Sequence, residues 1–201
     1  MATLEVEFKN LLTVTEYDEL RQAYPFGQPF LQQNYYFDTP DRLLQQAHCG
    51  LRIRLFVDYA EQTLKVPAPV TTPARHQLYE ITDRLTLKQA AQLLDQHQIL
   101  MTGQSILALA KYKLDPRRLK LIGQGTTKRQ IAKLPVGDLT IDRTSYPNGR
   151  QDFELELETS EPIQANNFYR DLLQQHQIPQ RPQLNKVARA VKEFENDFKR
   201  N

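Results

Sequence analysis

Apolar and polar residues alternate in three segments of the chain. At residues 4–9 and 152–158 the polar positions are mainly glutamate, and at residues 50–56 they include two arginines. A period of two predicts a β-strand that turns its apolar face toward a core and its polar face away from it. Shorter stretches rich in β-branched and aromatic residues predict further strands, about eight or nine in total. These stretches are residues 34–38, 62–66, 78–82, 120–122, 128–132 and 139–143.

Four other segments have the composition and spacing of helices. The first begins near Thr15, which we expect to be its N-cap, and the second covers residues 86–97. The third begins at Pro162 and runs to about residue 175, and the last covers residues 184–199. Because turns rather than regular crossover helices separate the strands, the pattern predicts an α+β fold with an antiparallel sheet and peripheral helices.

The size of the chain predicts a single domain that covers residues 1–201. Hydrophobic residues make up 40% of the sequence and charged residues 25%, which is typical of a globular protein and excludes a disordered chain. The proline-rich stretches at residues 67–73 and 178–182 are short, so we interpret them as loops and not as domain linkers. The sequence does not predict the oligomeric state.

The overall charge and the chain ends restrict the partners and the compartment. Lys and Arg number 26 and Asp and Glu number 24, and the resulting net charge of +2 argues against a nucleic-acid partner. No apolar run reaches the roughly 18 residues of a membrane helix, and the N-terminus lacks the features of a signal peptide. The single cysteine, Cys49, fits a reducing compartment. We therefore expect a cytoplasmic protein without a membrane partner.

The polar faces of the predicted strands are separated by the sign of their charge. On a half-exposed sheet such faces are solvated, and for any single strand this remains the simpler interpretation. Three glutamates at alternate positions of residues 152–158, however, lie about 6.5–7 Å apart on one face and repel one another, so a positive surface should face them. A closed eight-stranded antiparallel β-barrel, with the charged faces turned into a tunnel, would supply that surface and hold one small ligand.

The candidate lining of such a tunnel predicts the chemistry of its ligand. Enclosed charges cost several kcal/mol each unless they are paired, hydrated or liganded, so the interior should bind a charged molecule. Clustered Arg and Lys suit phosphate oxygens, and carboxylates without His or Cys suit Mg²⁺ or Mn²⁺. The acids are Glu5, Glu7, Glu80, Asp142, Glu154, Glu156 and Glu158, and the bases are Lys9, Arg52, Arg54, Lys65, Lys120 and Arg129, with Lys186 and Arg189 on the last helix.

The order of these motifs resembles the CYTH superfamily, the triphosphate tunnel metalloenzymes. That superfamily includes class IV adenylate cyclases, thiamine triphosphatases and inorganic triphosphatases, and residues 35–40 look most like its small bacterial members labelled adenylate cyclase-like. The signature E-x-E-x-K alone would be weak evidence, but the resemblance extends across nearly the whole chain. The matching positions are residues 5–9, 51–54 and 63–65, Arg129, Asp142, residues 153–158 and residues 185–189.

The resemblance implies a role for each matching residue. The bases that would hold the triphosphate are Lys9, Arg52, Arg54, Lys65, Arg129 and Lys186. The acids that would hold Mg²⁺ or Mn²⁺ are Glu5, Glu7, Glu156 and Glu158, with Asp142 as a possible addition, whereas Glu154 has no definite role. Lys65 and Glu7 are the catalytic candidates. For Lys65 the reason is that Arg52 and Arg54 could lower its pKa enough for it to deprotonate the attacking water.

Three functions are compatible with this reading. The first is metal-dependent hydrolysis of inorganic triphosphate or of a small organic triphosphate. The second is a class IV-like adenylate cyclase that converts ATP to cyclic AMP and pyrophosphate, and the third is a non-catalytic sensor of nucleotides or polyphosphate. The complete set of acids disfavours the sensor, because a phosphate binder needs only the bases. No motif indicates a ribose or base pocket, and Tyr35 and Tyr36 are more typical of a core than of base stacking.

Overall fold

Eight antiparallel strands form a closed barrel in the computed structural model of the protein, which describes residues 2–68, 76–112, 114–182 and 184–198. The strands are β1 (Ala2–Leu12), β2 (Phe30–Asp38), β3 (Gly50–Leu55), β4 (Ala60–Pro67), β5 (His76–Leu85), β6 (Lys120–Leu134), β7 (Gly137–Ser145) and β8 (Gln151–Glu158). Around the barrel their order is β1-β5-β4-β3-β2-β6-β7-β8. This arrangement confirms the predicted barrel.

Strand β6 corrects the prediction of two separate strands at residues 120–122 and 128–132. Both belong to one continuous strand of 15 residues, whose middle part, residues 123–127, has no apolar side chain to show the pattern. Gly123 in that part lies against the last helix, where a Cβ atom would come within 3.0 Å of the backbone of Ala190 and Val191. Absence of a side chain at Gly123 therefore lets the last helix approach the barrel closely.

Six α-helices surround the barrel in the described part of the chain. They are α1 (Val14–Ala23), α2 (Leu43–Gln46), α3 (Leu87–Asp95), α4 (Gln104–Leu109), α5 (Pro162–Gln175) and α6 (Lys186–Phe198). The sequence pattern predicts α1, α3, α5 and α6, although α6 begins two residues later than expected. Helices α2 and α4 are four and six residues long, too short for a hydrophobic period to be seen.

The N-cap of α1 is Thr13, so the expectation of Thr15 was wrong. The hydroxyl of Thr13 accepts a hydrogen bond from the backbone N–H of Glu16, and the backbone N–H of Thr13 donates to the Glu16 carboxylate. This reciprocal pair is a capping box, which requires a Glu or Gln three residues after the cap. Glu16 stands at that spacing from Thr13, whereas the residue three positions after Thr15 is an aspartate, Asp18.

The hydrophobic core lies outside the barrel, between the strands and the helices. On one side Leu139 and Leu155 pack with Leu20 of α1 and Leu172 of α5, and a second core cluster joins β3 and β4 to α3 and α4. Because side chains alternate across a strand, the residues between these core positions point into the barrel. Among the described residues, no helix is both long enough and apolar enough to span a membrane.

Candidate functional site

The charged faces of the strands meet inside the barrel, as the alternation predicts. Arg129 of β6 contacts Glu156 of β8 at 2.5 Å, although β7 separates these two strands. Lys65 of β4 reaches Glu5 of β1 at 2.5 Å across β5. Ion pairs between strands that are not neighbours require side chains that share the interior. The tunnel lining is therefore a single charged site assembled from most of the strands.

One group of acids, which we call the Asp142 cluster, consists of Asp142, Glu154 and Glu156. Each offers a carboxylate oxygen, and these oxygens all lie within 4.8 Å of one another. Burial by itself would raise the pKa of Asp142 and of Glu156, but neighbouring cations outweigh it and lower both values. The cations that contact the cluster are Arg129, Lys186 and Arg189, at distances between 2.5 and 3.2 Å. Three positive groups thus balance three carboxylates.

Helix α6 supplies two of those three cations. Lys186 contacts Asp142 at 2.5 Å and Glu156 at 3.2 Å, and Arg189 contacts Glu154 at 2.6 Å. The side chain of Val187 would lie 3.7 Å from a Cβ atom placed on Gly50, and the backbone of Ala190 lies against Gly123. Both glycines belong to the barrel, so α6 packs directly on its strands. Lys186 is therefore brought to the site from the C-terminal part of the chain.

A second group of acids, which we call the Glu5 cluster, consists of Glu5, Glu7, Glu80 and Glu158. The carboxylates of Glu7 and Glu158 belong to directly opposed residues of β1 and β8. Burial and the neighbouring glutamates raise the pKa of Glu5 and of Glu158. Glu80 differs, because Lys65 and Arg52 outweigh its burial and lower its pKa to about 2. No ion pair with any described residue neutralises Glu158, which lies partly exposed at the end of β8.

Lys65 lies among carboxylates, and this corrects the expected direction of its pKa. Its ammonium group contacts Glu5 at 2.5 Å and Glu80 at 2.8 Å. Burial and Arg52 lower its pKa, but the negative charges of Glu5, Glu7 and Glu80 raise it by more, and the net pKa lies above the ordinary value for lysine. The carboxylates of β1 and β5 thus favour the charged form of Lys65, which is the opposite of the direction expected from Arg52 and Arg54 alone.

Two arginines of β3 differ from the other cations of the tunnel. Arg54 is 7% exposed, and its Nε donates to Asn34 Oδ1 at 2.7 Å, but no described carboxylate forms an ion pair with it. Burial, with Arg52 and Arg129 nearby, lowers the pKa of Arg54 to about 9. Arg52 has a buried Nε without a partner among the described residues, and its nearest ion-pair partner is Glu80 at 3.6 Å. Buried positive charge without a carboxylate in close contact is the environment that an anionic ligand would complete.

The structure brings together all eleven residues that the resemblance selects, Asp142 included. Ten of them are buried or half-buried within the barrel, and Glu158 lies at its rim. The resemblance gave no role to Glu80 and Arg189, although both stood among the candidate lining residues. Lys120 was expected to point inward but is exposed on the surface. Asn34, which contacts Arg54, was not expected; its signal was the polar alternation of Gln32 and Asn34 along β2.

The acids of the tunnel fit a hard divalent cation. The grouped ligand atoms of the Asp142 cluster are carboxylate oxygens, and the Glu5 cluster adds four more carboxylates on neighbouring strands. Oxygen donors without His or Cys are the ligands that Mg²⁺ and Mn²⁺ prefer. Both oxygens of Asp142 are already taken by Arg129 and Lys186, whereas Glu158 contacts no cation of the described chain. The Glu5 cluster therefore offers the more accessible oxygens.

Comparisons with known proteins point to one family. The family model described as CYTH domain matches residues 3–191. The Bacillus subtilis (strain 168) protein named "Putative triphosphatase YjbK" is 31% identical over 193 residues, which are 94% of this chain and 95% of that protein. The crystal structure of "a putative adenylate cyclase" from Bacillus halodurans is 29% identical with a TM-score of 0.84, over 94% of this chain and 97% of that one.

A second similar structure, from Hippeastrum, shows the fold alone. It is described as a "Putative adenylyl cyclase" with a dominant triphosphatase activity, and it is 21% identical to this chain with a TM-score of 0.74. The similarity covers 94% of each chain. The two structures share the fold of this chain, and all three proteins match it over 94% of its length.

Proposed function

Because the chain belongs to the CYTH domain family, we propose that it is a divalent-metal-dependent triphosphatase that hydrolyses inorganic triphosphate or a small organic triphosphate. The observation that carries this proposal is Arg54, a buried cation without a described carboxylate partner in a tunnel otherwise rich in acids. The curated relative from Bacillus subtilis bears the name of a triphosphatase, which supports hydrolysis over cyclisation.

Six cations would hold the triphosphate in this proposal. Arg52 and Arg54 would bind phosphate oxygens first, since no carboxylate holds either of them closely. Arginine suits this task because its fork of N–H donors matches two phosphate oxygens at once. The other four already contact carboxylates, so a triphosphate would share them with the acids of the tunnel. They are Lys9, Lys65, Arg129 and Lys186.

Four glutamates would hold Mg²⁺ or Mn²⁺, namely Glu5, Glu7, Glu156 and Glu158. Asp142 would be a further ligand, and its fully buried carboxylate, like that of Glu156, also contacts Arg129 and Lys186. When bound, the divalent cation would neutralise phosphate charge and lower the pKa of a bound water. The protein's own contribution is to place carboxylates and cations so that the cation and the phosphates meet.

Hydrolysis would proceed by attack of water on the terminal phosphorus. The bond from the water oxygen to phosphorus forms as the phosphoanhydride bond breaks, and the products are orthophosphate and a diphosphate. Glu7 would orient the water, and Arg52, Arg54 and Lys65 would stabilise the negative charge that develops on the phosphate oxygens. Catalysis of this reaction depends mainly on positioning and on electrostatic stabilisation, so a protonated Lys65 fits it without acting as a base.

The proposal is tested by product analysis. The purified protein is incubated with Mg²⁺ or Mn²⁺ and, separately, with tripolyphosphate, ATP and thiamine triphosphate, and orthophosphate, pyrophosphate and cyclic AMP are quantified. Release of orthophosphate is expected. Equal yields of cyclic AMP and pyrophosphate from ATP would show a cyclase instead, and tight binding without any product would show a sensor.

Variants connect the reaction to the tunnel. Glu7→Gln is expected to lower the metal-dependent turnover at least about a hundredfold, since it removes a carboxylate charge from the site. Glu19→Gln is the matched control, because Glu19 is exposed on α1. Equal activity of Glu7→Gln and the wild type would contradict the assignment of Glu7.

A further inference from the structure

Two contacts tie α6 to the hairpin that joins β7 to β8. In the outer contact, Glu193 of α6 accepts a hydrogen bond of 2.7 Å from Asn148 and lies 3.5 Å from Arg150, both in the turn of the hairpin. In the inner contact, Nε of Arg189 donates to Asp152 Oδ2 at 2.7 Å. Arg189 and Glu193 are four residues apart and therefore lie on one side of the helix. The hairpin thus holds one side of α6 at two successive turns.

Asp152 is the centre of the inner contact. Its Oδ2 atom accepts from Arg189 and also from the hydroxyl of Tyr146, at 2.5 Å. Tyr146 is 6% exposed and Arg189 is 7% exposed, so both hydrogen bonds are shielded from water. The other oxygen, Oδ1, is buried and has no donor among the described residues. Because hydrogen bonds to a charged group are about twice as strong as neutral ones, the Oδ2 atom alone holds Arg189 firmly against the hairpin.

Arg189 connects this anchor to Lys186. All three of its guanidinium nitrogens donate to the protein, because besides Asp152 they reach Glu154 at 2.6 Å and the backbone oxygen of Leu184 at 2.7 Å. Glu154 in turn contacts the ammonium group of Lys186 at 3.1 Å. Leu184 lies two residues before the start of α6. Arg189 therefore fixes both the entry of the chain into α6 and the carboxylate beside Lys186.

We propose that Asp152 and Tyr146 are positioning residues of the triphosphatase, which through Arg189 hold α6 where Lys186 meets the bound triphosphate. In the described part of the chain, neither residue pairs with any of the six cations assigned to the triphosphate. Their effect on the reaction is therefore indirect and depends on the placement of Lys186. This inference rests on the proposed triphosphatase function and adds two residues of the β7–β8 hairpin to it.

Steady-state kinetics with tripolyphosphate and Mg²⁺ test this indirect role. Asp152→Asn keeps the shape of the side chain but removes its charge, and we expect KM to rise about tenfold while kcat stays within about twofold. The reason is that Lys186 is assigned to hold the triphosphate and not to stabilise the charge that develops during the reaction. A loss of structure alone would instead lower the active fraction, and so kcat, without a change in KM.

A second variant and a double-mutant cycle show whether the effect passes through Lys186. Tyr146→Phe removes one hydroxyl and no charge, and it should raise KM about threefold. In a Lys186→Gln background, Asp152→Asn should raise KM by less than about twofold, because no ammonium group remains to be placed.

Asp171→Asn and Tyr35→Phe are the matched controls. Asp171 is exposed on α5, and the hydroxyl of Tyr35 donates to Gln33 at 3.3 Å on the protein surface. Both variants should keep the KM and kcat of the wild type. Thermal melts of all variants establish folding before the kinetics are compared. If Asp152→Asn does not fold, Tyr146→Phe and its combination with Lys186→Gln decide the inference.

The outcomes separate this inference from the proposed function. If tripolyphosphate is hydrolysed but both hairpin variants leave KM unchanged, or if Asp152→Asn raises KM equally with and without Lys186, the inference is overturned and the triphosphatase proposal stands. If no triphosphate is hydrolysed, the triphosphatase proposal fails. The same cycle is then measured as calorimetric affinities for tripolyphosphate, and equal affinities of the wild type and Asp152→Asn would overturn the inference.

Discussion

At the scale of single residues, burial and charge conflict most at Arg54. Arg189 is also buried and Arg129 half-buried, but each contacts carboxylates closer than 3 Å. Arg54 has a neutral partner, Asn34, and its pKa is lowered because burial and nearby cations disfavour the charged form. Burying a charge in this way costs folding free energy. Because Arg54 faces the proposed ligand site, we explain its presence there by the ligand that it binds.

The variant Arg54→Gln tests this explanation. We expect kcat/KM for the preferred triphosphate to fall about a hundredfold or more, because a preorganised phosphate donor is lost. We also expect the urea midpoint of unfolding to stay the same or to rise, because a desolvated charge is removed. Steady-state kinetics and urea denaturation measure the two quantities.

Arg143→Gln is the control for that prediction, since Arg143 is exposed on the outer face of β7. It should leave both quantities unchanged. Full activity of Arg54→Gln would show that Arg54 does not bind the substrate. A clear fall in its urea midpoint of unfolding would show that Arg54 has a structural role.

At the scale of elements, Glu16 joins the first helix to the chain that follows α5. Its carboxylate caps the N-terminus of α1 through the N–H of Thr13 and accepts hydrogen bonds of 2.7 and 2.8 Å from Arg181. Arg181 also donates to the backbone oxygen of Leu11 at 2.7 Å. One carboxylate therefore holds together the end of β1, the start of α1 and the loop before α6.

This contact predicts a pH dependence of stability. Hydrogen bonds from Arg181, and then from Thr13, lower the pKa of Glu16 in the folded state. A lowered folded-state pKa means that the contribution to stability is complete above the unfolded value near 4.3 and is lost as the pH falls through the folded value. Glu16→Gln should therefore cost about 1 kcal/mol at pH 7 and almost nothing near pH 2.

Urea denaturation of the wild type and of Glu16→Gln at both pH values measures this difference. Glu19→Gln on the same helix serves as the comparison, because Glu19 is exposed. A difference between wild type and Glu16→Gln that is the same at both pH values would contradict the interpretation, since the lost stability would not depend on the charge of Glu16.

At the scale of the whole molecule, the barrel separates stability from function. The apolar core lies between the strands and the helices, and the interior is left for charged side chains. Closure of the sheet leaves no free edge, so the barrel does not need a ligand to complete its backbone hydrogen bonds. Ligand binding to the interior should then add to a fold that is already complete.

Binding of triphosphate should appear as thermal stabilisation. At a tripolyphosphate concentration about a hundred times Kd, we expect a gain of about 2.7 kcal/mol, which corresponds to a rise in Tm of about 5–10 °C for a chain of this length. Differential scanning calorimetry with a catalytically weak variant such as Glu7→Gln avoids turnover. The same ligand should raise Tm by clearly less when Arg54→Gln is combined with Glu7→Gln, and an equal rise would place the anion elsewhere.

Much of the fold follows from local patterns in the sequence. Alternation at residues 4–9, 50–56 and 152–158 predicts β1, β3 and β8 because side-chain direction in a strand depends only on position along it. The middle of β6 and the helices α2 and α4 were missed, since a run of Gly, Gln and Thr and a helix of four residues carry no apolar period. The family resemblance then selected eleven residues that the barrel does bring together.

By itself, the sequence determined which charged side chains share a strand face and what sign each face has, because both are properties of neighbouring positions. Only the tertiary structure decided which charges meet, because the closure and register of the barrel set the distances between strands, and electrostatic interactions depend on those distances. Lys65 shows this most clearly: Arg52 and Arg54 suggested a lowered pKa, but β1 and β5 place Glu5 and Glu80 within 2.8 Å and the pKa is raised.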